Sequence, residues 1–497
     1  MKRIVILLTA AVVSLAASAQ SAQDVLDSMV SGELLRTSLV GVYVRTASGQ
    51  VLLEHNAQTK MQPASNMKLI TTGCALHELG PDFKFETRLA YDGTIKKGTL
   101  KGDLYIVGGG DPTLFASDSI AAGKDEVFAQ WKEILTAAGI RNIAGRVIGD
   151  GRFLDGEEGR TTWSFSEYGG SYSTGMTGLA FRKNLIKFRI SPGAEGEELT
   201  AEMLEPVLPW LKVDVVATTA AGRSGKNFAA YTNDISPVIQ FRGSIGADAK
   251  ASNVNVANKY GAMTVAYLFS EYLKSEGMKV KGGCADIDRH GRIRDTSFEQ
   301  HETAVSQDRL YVIGSTFSPC LARIARETNH RSDNFYAEAL LRTVGRLRTG
   351  EDSYRRCWAE EKKILAGLGV DTANRIRLDD GSGVSKLNYI SPEFFTDYLQ
   401  AMMASPNFGA FRASLPGPGS NGTMKPVLKD LTPAQKARIR MKSGGIAGVC
   451  CYSGYIFPEK EGDEVILFSI LTGNATAARS DVRAEIMRLI AALVNQY

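Results

Sequence analysis

Long hydrophobic runs are missing from the body of this 497-residue chain. Beyond the extreme N-terminus no stretch reaches 18 consecutive apolar residues, the span a bilayer-crossing helix needs, so no integral membrane span is expected in a mature chain. An excess of one charge is missing too: 58 Lys and Arg against 54 Asp and Glu leave +4. Nucleic-acid binders carry a strong basic excess or a basic face, so no nucleic-acid partner is expected. Cysteine is scarce and unpatterned. Cys74, Cys284, Cys320, Cys357, Cys450 and Cys451 contain no C-x-x-C and lack the density of a disulfide framework; most read as small buried hydrophobes. Cys450 and Cys451 fall in a strand-like run, where neighbours face opposite sides, which disfavours a disulfide between them and leaves other pairings open. The histidines (His55, His77, His290, His301, His330) are scattered, without H-E-x-x-H spacing. Neither a zinc enzyme nor a Ser-His-Asp triad gains support, and no cofactor or metal is expected. What remains, 44% hydrophobic and 23% charged, is the composition of a folded protein.

Lys2-Arg3, the apolar run Ile4 to Ala17 and Ala17-Ser18-Ala19 read as a signal peptide over residues 1–19, with a mature start near Gln20. No Cys follows the apolar run, which argues against a lipoprotein. The protein is therefore expected to be exported, to a periplasmic space. Val40 to Arg45 and Gln50 to Glu54 alternate like a hairpin around Ala47-Ser48-Gly49. Asn66 to Leu79 has helical spacing and stops at Gly80-Pro81. From Phe83 to Ala247 the texture changes to short strand-like runs, many Gly and few long helices. Helical patterns return at 263–276, 319–328, 334–347 and 354–368. The end reads as strands at 438–441, 449–457 and 464–472, then an amphipathic helix from Ser480 to Asn495 expected to pack on a sheet. The simplest organisation is one core built from both ends, 20–82 and 251–497, interrupted by a β-rich insertion at 83–250.

Ser65-Asn66-Met67-Lys68 is the only place where Lys stands three residues after Ser. On a helix these positions share a face, so the Lys68 amine reaches the Ser65 hydroxyl. Serine is a weak nucleophile until a base takes its proton. Lysine can be that base only when neutral, which burial, a helix N-terminus or a second cation would favour. Two further triplets follow in order. Ser332-Asp333-Asn334 opens a helix, and Lys442-Ser443-Gly444, the only K-[S/T]-G, leaves a strand into a Gly-rich turn.

S-x-x-K, S-D-N and K-T-G together mark penicillin-binding proteins and class A β-lactamases. With Pro63 to Leu69, Gly102-Asp103-Leu104-Tyr105 running into Gly108 to Pro112, Asp380-Gly381-Ser382-Gly383 before Ser391-Pro392, and Leu415-Pro416 before Gly422-Thr423, the chain resembles one family over nearly its whole length. These are the low-molecular-weight penicillin-binding proteins of the penicillin-binding protein 4 type, D-alanyl-D-alanine carboxypeptidase/D-alanyl-D-alanine-endopeptidases. The resemblance implies an α+β fold: a penicillin-binding-protein/β-lactamase-like transpeptidase core, an antiparallel sheet flanked by helices, with a β-rich insertion. It implies a serine D,D-peptidase that cleaves D-Ala-D-Ala termini or D-Ala cross-links of peptidoglycan through an acyl-enzyme, with peptidoglycan peptides as substrates and β-lactam antibiotics as covalent inhibitors. Ser65 would be acylated and Lys68 would accept its proton. Ser332 would relay a proton to the leaving amine, and Asn334 would hold the substrate amide. Lys442, Ser443 and Gly444 would bind the terminal carboxylate, and the N–H groups of Ser65 and Gly445 would form the oxyanion hole. Two positions depart from the family pattern: Ser443 stands for the usual Thr, and Gly445 for a residue that is often Thr.

Two other readings share the motifs. A β-lactamase-like hydrolase needs a group that activates water, and Tyr231-Thr232-Asn233 is a Y-x-N string, although it lies in the insertion and S-D-N already fills that slot. A non-catalytic peptidoglycan-binding scaffold would more often have lost Ser or Lys. Residues 83–250 hold none of the three motifs, so they are expected to tune substrate choice more than chemistry. The balance of carboxypeptidase and endopeptidase work and the oligomeric state are not legible.

Overall fold

A computed structural model describes residues 20–165, 167–298 and 300–497; the signal-peptide reading of residues 1–19 lies outside them. The core is a five-stranded antiparallel sheet. Its strands are β1 (Leu39–Thr46), β2 (Val51–His55), β3 (Ile439–Ile446), β4 (Val449–Ile456) and β5 (Ile466–Gly473), in the order β2-β1-β5-β4-β3. Strands from both chain ends thus share one sheet, with Val42 opposite Ile470. Period-2 alternation divides the side chains between two apolar layers. Cys450 joins the layer under the terminal helices Ala22–Ser31 and Arg479–Gln496, and Cys451 joins the layer under the helices that carry the site. The two cysteines therefore face opposite sides, and all six are free.

The C-terminal helix packs on the sheet as its pattern foretold, burying Val482, Ile486, Leu489, Ile490, Leu493 and Val494. The other layer is built on the helix Met67–Leu79, whose residues Met67 to Leu76 are all buried. A helix covered on every side is held by tertiary packing rather than by amphipathicity. Around it lie the helices Leu321–Arg331, Asn334–Thr349, Tyr354–Gly367 and Pro392–Met403. No helix of the described residues is long and apolar enough to cross a membrane.

Two details differ from the sequence reading. The strand carrying Lys442 continues through Gly444 and Gly445 to Ile446, because the glycines pair with Cys451 and Cys450 of β4; the turn comes only at Ala447-Gly448. The inserted segment also runs past residue 250. A seven-stranded sheet takes Glu86–Tyr91, Leu104–Val107 and Val147–Asp150 together with Cys284–Ile287, Arg292–Asp295, Gln300–Thr303 and Tyr311–Phe317. Strand pairing thus carries the insertion to Phe317. Nor is it purely β: the helices Lys124–Ala137 and Gly261–Ser275 cover the same sheet through Phe128, Trp131, Val265 and Phe269. An inner lobe is threaded within it, two small sheets centred on Leu185–Ser191 and Val238–Gly246 with their own apolar core.

Candidate active site

Ser65 stands in a single 3-10 turn, Ala64–Asn66, that runs straight into the helix Met67–Leu79. Asn66 does not cap that helix with its side chain; it is buried and donates to Ser453 Oγ at 2.8 Å, tying the nucleophile turn to β4. Lys68 follows on the same face. Its Nζ donates to Ser65 Oγ at 3.1 Å, to Asn334 Oδ1 at 2.7 Å and to the Ser382 carbonyl at 2.6 Å. An ammonium has three donors, and here all three meet uncharged oxygens. Burial lowers the Lys68 pKa to about 8, although Asp380, Glu338 and Asp333 pull it upward. When the amine is neutral, the contact to Ser65 runs in reverse and the hydroxyl donates.

Ser332 and Asn334 flank a helix junction. Ser332 closes Leu321–Arg331 in the left-handed region (φ 58°, ψ 43°), and Asp333 caps Asn334–Thr349 by accepting from the Tyr336 N–H at 3.0 Å. A left-handed non-glycine residue costs about 1–2 kcal/mol, so the junction is imposed by its surroundings. One constraint is Lys442, whose Nζ donates to Ser332 Oγ at 2.9 Å and to the Ser443 carbonyl at 2.7 Å. Lys442 is wholly buried, and its pKa is driven well down by burial first and by the Lys68 charge second. The three motifs, separated in sequence, therefore meet through two sets of contacts, one from Ser65 through Lys68 to Asn334 and one from Ser332 to Lys442, joined by the backbone from Ser332 to Asn334.

Gly444 allows β3 to reach the Ser65 turn. A Cβ there would lie 2.6 Å from the Pro63 carbonyl oxygen and 3.0 Å from the amide nitrogens of Ser65 and Asn66. Gly445 follows at the head of a cleft of about 930 Å³ that Glu167, Tyr172, Lys386, Ile446 and Arg479 also line.

Several contributors were not legible as site residues. Glu338 accepts from the Gly381 and Ser382 N–H groups at 3.1 and 2.8 Å, which turns the Ser382 carbonyl toward Lys68. Asp380 accepts from Gly383 N, Ser385 N, Asn388 Nδ2 and Trp163 Nε1 at 2.6–2.9 Å. Glu338 could have been found as the residue four beyond Asn334, on its face of the helix; Asp380 lies in a segment already quoted as a family signature. The insertion supplies the rest. The Tyr172 carbonyl accepts from Asn334 Nδ2 at 2.9 Å, so both ends of that amide are engaged within the protein. Lys183 pairs with Asp333, and Thr162 and Arg160 bond Asp379 beside Asp380. The insertion's loops thus grip S-D-N and the Asp380 segment directly. Tyr231, of the Y-x-N string, ends the strand Lys226–Tyr231 of the inner lobe, its ring tilted against that of Phe165 at 5.1 Å between centres.

Residues 22–493 match the D-Ala-D-Ala carboxypeptidase 3 (S13) family. The chain is 28% identical over 458 residues to a D-alanyl-D-alanine carboxypeptidase of Actinomadura sp. (strain R39), covering 90% of this chain and 80% of that protein. It is 22% identical over 432 residues to D-alanyl-D-alanine carboxypeptidase DacB of Haemophilus influenzae, covering 86% and 84%. The crystal structure of penicillin binding protein 4 (dacB) from Haemophilus influenzae superposes with a TM-score of 0.78 at 20% identity, over 95% of this chain and 99% of that one.

Proposed function

We propose, for a chain that belongs to the D-Ala-D-Ala carboxypeptidase 3 (S13) family and is accordingly a serine-type D,D-peptidase, that Ser65 is its nucleophile and Lys68 the base that activates it. The observation that carries this reading is the Lys68 amine: buried, bonded to Ser65 Oγ at 3.1 Å, and lowered to about 8. A neutral Lys68 takes the Ser65 proton as Oγ attacks the carbonyl of the penultimate D-Ala. The oxyanion forms against the N–H groups of Ser65 and Gly445, a reading supported by the close approach of β3 to the Ser65 turn at Gly444. The C–N bond then breaks, and the proton returns to the leaving amine through Ser332, whose hydroxyl is held by Lys442. Water cleaves the Ser65 ester with Lys68 again as base.

Lys442 and Ser443 receive the substrate's terminal carboxylate. A buried amine whose pKa is driven down, bonded to the neutral oxygens of Ser332 and Ser443, gains most from an anion that restores its charge. β-Lactams carry an equivalent acid next to a reactive carbonyl, so they enter as covalent inhibitors and peptidoglycan peptides as substrates. Asn334 holds Lys68 in place; contact with a substrate amide requires it to release the Tyr172 carbonyl. Residues 20–82 and 318–497 form the transpeptidase-like core, and 83–317 the insertion. A peptidoglycan substrate requires export, and the leader-like residues 1–19 support it; N-terminal sequencing of protein from a periplasmic fraction tests that assignment.

Labelling with a fluorescent penicillin tests the site. Wild type takes up a persistent label, whereas Ser65→Ala, still folded, takes up none and loses turnover by on the order of a million-fold. Rapid loss of the label would indicate the lactamase-like alternative, and no label on the wild type the scaffold.

A further inference from the structure

The insertion places one lysine against the S-D-N triplet. Lys183 Nζ lies 2.6 Å from Asp333 Oδ2 and 2.8 Å from Asp118 Oδ2, and 4.6 Å from the centre of the Tyr336 ring. Tyr336 Oη donates to the same Asp118 carboxylate at 2.5 Å. Asp333 is thus held twice: one oxygen caps the helix that begins at Asn334, and the other receives Lys183. Either side of it stand Ser332, bonded to Lys442, and Asn334, bonded to Lys68.

The backbone that delivers Lys183 is costly. Arg182, Lys183 and Asn184 have φ of 51°, 58° and 53°, three successive left-handed residues with no glycine among them. L-residues avoid that conformation, and such strain persists only where the surroundings over-determine it. Here Asn184 anchors the turn: it is buried, its side chain donates to the Gly175 carbonyl at 3.2 Å, and its carbonyl accepts from Asn258 N at 2.8 Å. An ordinary surface ion pair needs no such turn. Burial alone would lower the Lys183 pKa, but Asp333 and Asp118 outweigh it and hold the residue cationic.

The charges make a further connection. Lys68 is faced by Asp380 and Glu338 as well as Asp333, all raising its pKa, and Lys442 lies near enough for the Lys68 charge to lower the Lys442 pKa. Lys183 sits on Asp333 and offsets part of that carboxylate's pull.

Resting on the Ser65–Lys68 reading above, we propose that Lys183 is a positioning residue of the peptidase reaction: it clamps Asp333 so that Ser332 and Asn334 keep their places beside Lys442 and Lys68. The insertion is then part of the catalytic apparatus as well as a cover for it.

The test is the second-order rate of acylation by a reporter penicillin, followed from about pH 6 to about pH 10, across the titration of the base. Lys183→Met is expected to slow acylation about tenfold to a hundredfold at neutral pH, as for loss of a charge-assisted contact. Its acid limb should move to higher pH, because an unscreened Asp333 favours the Lys68 ammonium. Lys183→Arg should stay within about threefold of wild type, since it keeps charge and donors. Asp118→Asn removes one negative charge while leaving the Lys183–Asp333 contact, and should move the limb the other way; it carries the test if Lys183→Met does not melt cooperatively. A wild-type rate and pH profile in Lys183→Met, a loss with an unmoved limb, or an upward shift in Asp118→Asn would overturn the proposal while leaving Ser65 and Lys68 in place. A wild-type protein that takes up no penicillin would overturn the underlying reading, and this one with it.

Discussion

The site holds two wholly buried lysines, one on its helical side and one on its strand side, and their surroundings differ. On the helical side, Lys68 gives its hydrogens to Ser65, Asn334 and the Ser382 carbonyl, with the carboxylates Asp380, Glu338 and Asp333 close enough to raise its pKa. On the strand side, Lys442 bonds Ser332 and the Ser443 carbonyl among the described residues, and the charge acting on it is that of Lys68, which repels. Burial lowers both. Nearby carboxylates return Lys68 to about 8, where an amine can give up and take back a proton near neutral pH. Lys442 has no such compensation and is poised to gain from an incoming anion. One residue type at similar burial is thus suited, on the proposed reading, to act as a base in one place and as an anion receptor in the other, and the difference lies in the neighbours.

The sharpest way to break this comparison is to make Lys68 permanently charged. Lys68→Arg keeps a cation and hydrogen-bond donors but cannot become neutral. Acylation by a reporter penicillin should fall by at least about a thousandfold, in the range of lost general-base catalysis. Substantial activity would move the base role to another group, Ser332 first.

A smaller effect is expected on the strand side. Lys442→Ala should slow penicillin acylation and peptide cleavage together by about tenfold to a hundredfold, the worth of a charge-assisted hydrogen bond. Amidating the substrate's terminal carboxylate should slow the wild type by a similar factor and matter little in Lys442→Ala. Equal slowing of both proteins by amidation would show that Lys442 is not the carboxylate's partner.

The smallest effect reads the tuning itself. Because the active form of Lys68 is the neutral amine, acylation should rise with pH and level off above about 8. Glu338 raises the Lys68 pKa, so Glu338→Gln removes support for the ammonium and should move that limb to lower pH, by less than about one unit. A shift to higher pH would contradict the assignment of the limb to Lys68.

The insertion provides the Tyr172 carbonyl to Asn334, Lys183 to Asp333 and Trp163 to Asp380. Replacing it with a short linker should harm small-substrate hydrolysis as well as action on peptidoglycan.

The amino-acid sequence by itself determined the pairing of Ser65 with Lys68, the order of the three motifs and the types of most core elements. Ser65 and Lys68 are close because one helical turn makes them so. The alternation through Cys450 and Cys451 assigns them to opposite faces for a similarly local reason. Tertiary structure decided the rest. The insertion's end at Phe317 depends on strands that pair across long sequence separations, such as Thr316 with Thr87, and no short window carries that register. Lys183 and Tyr172 look like ordinary loop residues; their partners Asp333 and Asn334 lie 150 and 162 positions away. The unequal fates of Lys68 and Lys442 were equally hidden, since a pKa in a buried site is set by distances to charges and by excluded water, and those exist only once the chain has folded.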